Sequence, residues 1–108
     1  MNITQHISPN NELIINIEGE FDAIGCQATK AVWASLSEQA DHPHIILDLT
    51  LVNFLDSSGV GAIVFLFKRL KANKLTMSIV GANGQPQELL ELLRINQAIP
   101  ISVLADAH

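Results

Sequence analysis

Residues 44–74 read HIILDLTLVNFLDSSGVGAIVFLFKRLKANK, and this stretch decides the fold. It opens on Ile45-Ile46-Leu47, a continuous apolar run of the kind found in strands that are buried centrally or covered on both faces. Leu49, Leu51, Val52, Phe54 and Leu55 carry the apolar character through a short connector to the tetrad Asp56-Ser57-Ser58-Gly59. From about Ser58 to Ala72 the spacing predicts a helix with Val60, Ile63, Val64, Phe67 and Leu70 on one face. Phe65 and Leu66 fall on a flanking face, either under neighbouring elements or exposed beside a partner. Lys68, Arg69, Lys71 and Lys74 are four of the six basic residues and gather at the helix C-terminus, where cations are favoured by the helix dipole.

Upstream of this stretch, residues 2–7 and 13–17 are compatible with two strands of a hairpin, separated by the turn Ser8-Pro9-Asn10-Asn11. Gly19 breaks the second strand. Glu18, Glu20 and Asp22 then follow at alternate positions, which share a face on an extended chain and would gather three carboxylates at the strand's end. Ala23 to Ala40 reads as one helix with Asp22 as its N-cap. Ile24, Ala28, Val32 and Leu36 form its apolar stripe. Trp33 lies off that stripe, as a ring on the helix flank or as a contact residue for a partner. Asp41-His42-Pro43 ends the helix, because the residue before proline is pushed out of the α region.

Downstream, Leu75 to Val80 reads as a strand closed by Gly81, and Asn83-Gly84 as a turn. A short helix follows, with Pro86 at its first position and Leu89, Leu92 and Leu93 on its buried face. Residues 99–103 form a last strand, and 105–108 a tail. The order β-β-α-β-α-β-α-β implies mostly parallel pairing with right-handed crossovers. The expected fold is α/β: one domain over residues 1–108, with a four- to five-stranded mixed sheet and helices mainly on one face.

The totals narrow the function. A net charge of −5 argues against a nucleic-acid binder, which shows a basic patch or stripe. The single cysteine, Cys26, cannot form an internal disulfide, which fits a reducing compartment. The N-terminus has no basic region followed by an apolar one. The longest uncharged apolar stretch, residues 57–67, is well short of the ~20 residues a membrane span needs. The expectation is a cytoplasmic protein without membrane insertion, catalytic residue, metal or cofactor.

Two serines beside an aspartate, where a strand hands over to a helix, admit three chemistries. One is structural, since Asp and Ser are favoured N-caps. One is enzymatic, but a serine nucleophile needs a base within reach. The G-x-S-x-G elbow and the G-x-x-x-x-G-K-[ST] phosphate loop are both absent, and none of the histidines at 6, 42, 44 and 108 is directed to the serines by the pattern. The third is a phosphoacceptor, because a helix start offers free N–H groups and partial positive charge to a phosphate.

Residues 47–63, LDLTLVNFLDSSGVGAI, together with Gly19-Glu20-Phe21-Asp22, resemble the motifs of STAS domains. They are most similar to the bacterial anti-sigma factor antagonists of sporulation and general-stress partner switching. The resemblance implies that Ser57, or failing that Ser58, is phosphorylated by a GHKL-type serine kinase that is also the anti-sigma factor. It further implies that a PP2C-type phosphatase reverses this, and that the unmodified domain, a monomer or weak dimer, binds the anti-sigma factor. Asp22, Asp56, Ser58, Gly59 and Gly61 would form the partner-binding loop, with Asp48 at the same end of the sheet. A STAS subunit of a lipid-transport ABC complex, with a structural role, is the alternative.

Overall fold

The computed structural model describes residues 1–39 and 43–102. Five strands, β1 (Asn2–Ile7), β2 (Leu13–Phe21), β3 (His44–Leu55), β4 (Thr76–Val80) and β5 (Ile101–Ser102), lie in the spatial order of the sequence. β1 pairs antiparallel with β2, and every later pairing is parallel. The helices are α1 (Ala23–Ala28), α2 (Lys30–Gln39), α3 (Ser57–Ala72) and α4 (Gly84–Leu92), with one 3-10 turn at Ile95–Gln97. The mixed sheet expected with four to five strands is therefore present with five, and none of the described helices is long and apolar enough to cross a membrane. The Leu36 side chain, the helix end at residues 40–42, Val103 and the tail lie outside what is described.

The core sits on one face of the sheet. Ile15 and Ile17 of β2, Ile45, Leu47 and Leu49 of β3, and Met77 and Ile79 of β4 point to it and meet Trp33, Val60, Ile63, Leu66, Leu70 and Leu90 from the helices. A connection between neighbouring parallel strands must cross a face of the sheet, and here the crossings share one. Among the described residues the opposite face carries the small cluster Ile14, Ile46 and Val80.

β3 is longer than its sequence suggests. The connector before Asp56 is itself strand, and the register with β2 shifts twice, between Asn16 and Glu18 and between Gly19 and Glu20. At each shift β3 carries one residue more than β2, which is a β-bulge. The buried positions therefore run Leu49, Val52, Leu55, three apart rather than two. The bulges turn Leu51 and Phe54 outward, although both belong to the apolar run that leads to the tetrad.

The single helix expected over residues 23–40 is two. The Thr29 hydroxyl donates to the Gly25 carbonyl at 2.7 Å, and Thr29 itself leaves helical geometry at φ −112°, ψ 17°. Such back-bonding competes with the helix ladder. The break resets the helical phase, so the expected stripe fails: Ile24 is 81 % exposed and Val32 is exposed too. Gly25 and Trp33 are buried instead. Trp33 stacks on Phe21 with centroids 5.4 Å apart and planes at 6°, so its ring is core. In α3, Leu66 is fully buried while Phe65 is 48 % exposed, with Arg69 over its ring at 5.6 Å. α4 is also phased differently. Pro86 is its third residue, Leu90 is buried, and Leu92 and Leu93 are exposed because the helix stops there and Arg94 turns left-handed at φ 57°.

Candidate functional site

The end of β2 and the end of β3 lie side by side, with Phe21 paired to Leu55. Each strand delivers an aspartate that starts a helix. Asp22 is extended at φ −124°, ψ −173°, and Asp56 at φ −119°, ψ −174°. Asp22 Oδ1 accepts from Gly25 N at 2.8 Å, and Asp56 Oδ1 accepts from Gly59 N at 3.0 Å. The aspartate carbonyls accept the first helical bonds, from Cys26 N at 2.8 Å and Val60 N at 3.0 Å. Each carboxylate thus caps a donor that the helix leaves unpaired.

Asp56 also ties the two starts together. Its Oδ2 accepts from Ala23 N, the first residue of α1, at 3.3 Å. Its own N–H donates to the Phe21 carbonyl at 3.3 Å. Gly59 faces the same carbonyl so closely that an added Cβ would overlap it and lie 2.6 Å from Leu55 Cδ1. Glycine at 59 is therefore demanded by the approach of α3 to the end of β2. Gly61, two residues on, is exposed, and an added Cβ there would meet nothing within 4 Å.

Ser57 and Ser58 are the first two residues of α3, and both are exposed. Neither hydroxyl bonds to another described residue. Asp22 and Asp56 are half-buried between the helix starts. Asp22, Asp56, Ser57, Ser58 and Gly59 are thus brought together, with Gly61 on the following turn. Along β2, Glu18 and Glu20 are exposed at alternate positions while Ile17 and Phe21 are buried, and Asp22 beyond them is half-buried as the cap of α1. Asp48 is elsewhere. It pairs with Val80 in the middle of β3 and accepts from Thr50 N and Oγ1 at 2.9 and 2.6 Å. At ~3.3 Å per strand residue it lies roughly 26 Å of chain before the tetrad. No group of His, Cys, Asp and Glu that could hold a metal occurs among the described residues.

Two participants were not legible in the sequence. Cys26 lies within electrostatic reach of both caps. Burial, then the charges of Asp56 and Asp22, push its thiol above the ordinary value, so it stays protonated and weakly nucleophilic at neutral pH. Gln85, in the first turn of α4, grips Leu55 immediately before the tetrad. Its Oε1 accepts from Leu55 N at 2.8 Å, and its Nε2 donates to Leu55 O at 2.7 Å. No local spacing announces a bond across thirty residues of chain.

Comparison with known proteins follows the same lines. An anti-sigma-B factor antagonist from Bacillus subtilis is 26 % identical over 107 residues, 98 % of this chain and 96 % of that protein. An anti-sigma F factor antagonist from Paenibacillus polymyxa is 26 % identical over 89 residues, covering 82 % of this chain and 76 % of the relative. The crystal structure of an anti-sigma factor antagonist from Mycobacterium paratuberculosis superposes with a TM-score of 0.81 at 18 % identity, covering 98 % of this chain and 90 % of that one. A sulfate transporter family protein from Wolinella succinogenes shares the fold as well, at a TM-score of 0.76 and 16 % identity over 94 % of this chain and 84 % of that one, so the fold by itself does not select a function. The STAS domain model matches residues 2–105, and with the sheet order and the paired aspartate caps already described, the chain belongs to the STAS domain family.

Proposed function

We propose that this domain is an anti-sigma factor antagonist, a binding module whose α3 start docks an anti-sigma factor and whose affinity is set by phosphorylation of Ser57. One observation carries the reading. The two helix starts are built alike, yet α1 uses Ala23-Ile24 where α3 uses Ser57-Ser58. Capping asks for the aspartate and the close approach asks for the glycine. Neither asks for hydroxyls, and those of α3 are exposed and unengaged. Gly61 points the same way. A glycine inside a helix costs roughly 0.5–1 kcal/mol against alanine, and no neighbour among the described residues requires it. A bare patch of backbone beside Ser57 suits a partner that comes close.

A phosphate adds about −1.5 to −2 charges at neutral pH. Against a chain at −5 the change in overall field is small, and screening confines it to ~8 Å. The free N–H groups at the start of α3 accommodate the phosphate, so the fold survives it. A fitted interface does not. A loss of about 1.4 kcal/mol is tenfold in affinity, and leaving a charge buried and unpaired costs several times that. The kinase is of the GHKL type and is itself the anti-sigma factor, and the phosphatase is of the PP2C type; Asp22, Asp56, Ser58, Gly59 and Gly61 share the docking surface.

The test is to incubate the chain with a purified GHKL-type anti-sigma kinase and ATP, map the phosphate by mass spectrometry, and measure binding of two variants. Phosphate is expected on Ser57. Ser57→Ala should bind whatever the kinase does, and Ser57→Asp should bind at least about tenfold more weakly, a loss of about 1.4 kcal/mol, with unchanged circular dichroism. A phosphate mapped to any residue other than Ser57 would sink the assignment.

A further inference from the structure

β4 accompanies β3 only from His44 to Asp48, and the chain then turns away at Gly81. Beyond Asp48, the β4 side of β3 still carries main-chain groups that need partners. Side-chain amides from the start of α4 supply them. Asn83 Nδ2 donates to Thr50 O at 3.4 Å, and Gln85 takes both main-chain groups of Leu55. The amide orientation of Gln85 is fixed by this pair. Turned over, it would set oxygen against oxygen and N–H against N–H. Leu55 is thus held from both sides, by its pairing with Phe21 in β2 and by Gln85 in place of a fourth-strand neighbour.

We propose that Gln85 is a positioning residue for Ser57: its side-chain amide stands in for the missing strand at Leu55, fixes the end of β3 and so fixes the direction in which the Asp56-Ser57 turn presents its hydroxyl to a kinase. This rests on the reading of Ser57 as the phosphoacceptor. The hydrogen bonds of Gln85 go to Leu55 and not to Ser57 or the capping carboxylates. Its effect passes through the backbone of Leu55, one residue before the cap. Phosphoryl transfer depends on in-line placement of the attacking oxygen, and a displacement of about 1 Å can cost on the order of a hundredfold in rate. Without the amide, the end of β3 exchanges its two bonds for water and the hydroxyl spreads over several directions, its own chemistry unchanged.

The experiment uses the full chain with Gln85→Ala and Gln85→Glu. It reads two quantities: phosphorylation kinetics at Ser57 with the GHKL-type kinase, and backbone amide exchange by NMR. Gln85→Ala is expected to lower kcat about tenfold or more while KM moves less than about twofold. Protection of the Leu55 amide should fall at least tenfold, with Ile45 to Leu47 unchanged. Gln85→Glu keeps an acceptor for Leu55 N–H but sets a carboxylate oxygen against the Leu55 carbonyl. At neutral pH its Leu55 protection should lie between those of alanine and the wild type, and it should approach the wild type at acidic pH, where the protonated carboxyl donates. Unchanged protection at Leu55 would overturn the proposal, as would protection lost equally at Ile45 to Leu47, since that marks global destabilisation. A wild-type chain phosphorylated at Ser57 with kcat unaltered in both variants would overturn the role of Gln85 alone. A wild-type chain that takes no phosphate at Ser57 would overturn the phosphoacceptor reading and this proposal with it.

Discussion

The starts of α1 and α3 form a comparison within one molecule. Both follow a strand, both begin at an extended aspartate, and both bring that aspartate's Oδ1 to the N–H of a glycine three residues on. They differ in what fills the two positions between and in how tightly the glycine is seated. α1 carries Ala23-Ile24 and stops after six residues, whereas α3 carries Ser57-Ser58 and runs for sixteen. The common frame separates what the fold requires from what it does not. Aspartate and glycine are required twice, and the serine pair is required nowhere.

Breaking the glycines should give the largest effect and an unequal one. At Gly59 a Cβ would overlap the Phe21 carbonyl and crowd Leu55, both fixed within the sheet. At Gly25 it would lie 2.8 Å from the Glu20 carbonyl and 3.1 Å from the Met1 side chain, which can move aside. Gly59→Ala is therefore expected at or above the ~3 kcal/mol end of overpacking costs, and Gly25→Ala below it, within about 1–3 kcal/mol, because the Glu20 carbonyl is backbone. Gly61→Ala, in open space, should stabilise by about 0.5–1 kcal/mol. Urea unfolding of the three variants decides the order. If Gly59→Ala unfolded at the wild-type midpoint, the close approach of α3 to Phe21 would be wrong.

The aspartates come next. Asp22→Ala removes one bond, to Gly25 N, and an N-cap of this kind is worth ~1 kcal/mol. Asp56→Ala removes the corresponding bond to Gly59 N and the longer one to Ala23 N, so about 1.5–2 kcal/mol is expected. The asparagine variants keep an acceptor and should lose little. Equal losses for the two alanine variants would mean that Asp56 does not tie the helix starts together.

This pairing also shows where the sequence spoke and where it was silent. Asp22 announced itself as a cap, and the Asp-Ser pair marked the start of α3, because capping is local chemistry, readable within four residues. The strands Ile45 to Leu49 and Leu75 to Val80 were legible because continuous apolar runs between turn signals have few other uses. The phase of α2 was not, because one hydroxyl bond from Thr29 to Gly25 resets it, and a threonine in a helical pattern does not say whether it will break the helix. The outward turn of Leu51 and Phe54 was not legible either, because alternation cannot reveal a bulge, which is decided by the register with β2. Gln85 could not be read at all, since its partner is chosen by where α4 lands. Local rules therefore placed the serines correctly at a helix start, whereas tertiary contacts determine what holds that start in place.

The smallest effect to separate the two caps is electrostatic, and Cys26 reports it. Its thiol lies above the ordinary value through burial first, then through the charge of Asp56, then that of Asp22. A thiol whose folded value is raised keeps its proton in the folded chain at a pH where the unfolded chain has already released it. The stabilisation is complete below the ordinary thiol value, about 8.5, and is lost as pH rises through the higher folded value. Cys26→Ser removes that titration, so its unfolding midpoint should fall less steeply than the wild type's as pH rises above about 8.5. Alkylation by iodoacetamide at mildly alkaline pH gives the finer readout, because only the thiolate reacts. Asp56→Asn and Asp22→Asn each keep their cap and lose one charge, so both should speed alkylation, Asp56→Asn the more. The reverse order would place the thiol nearer the α1 cap than the α3 cap.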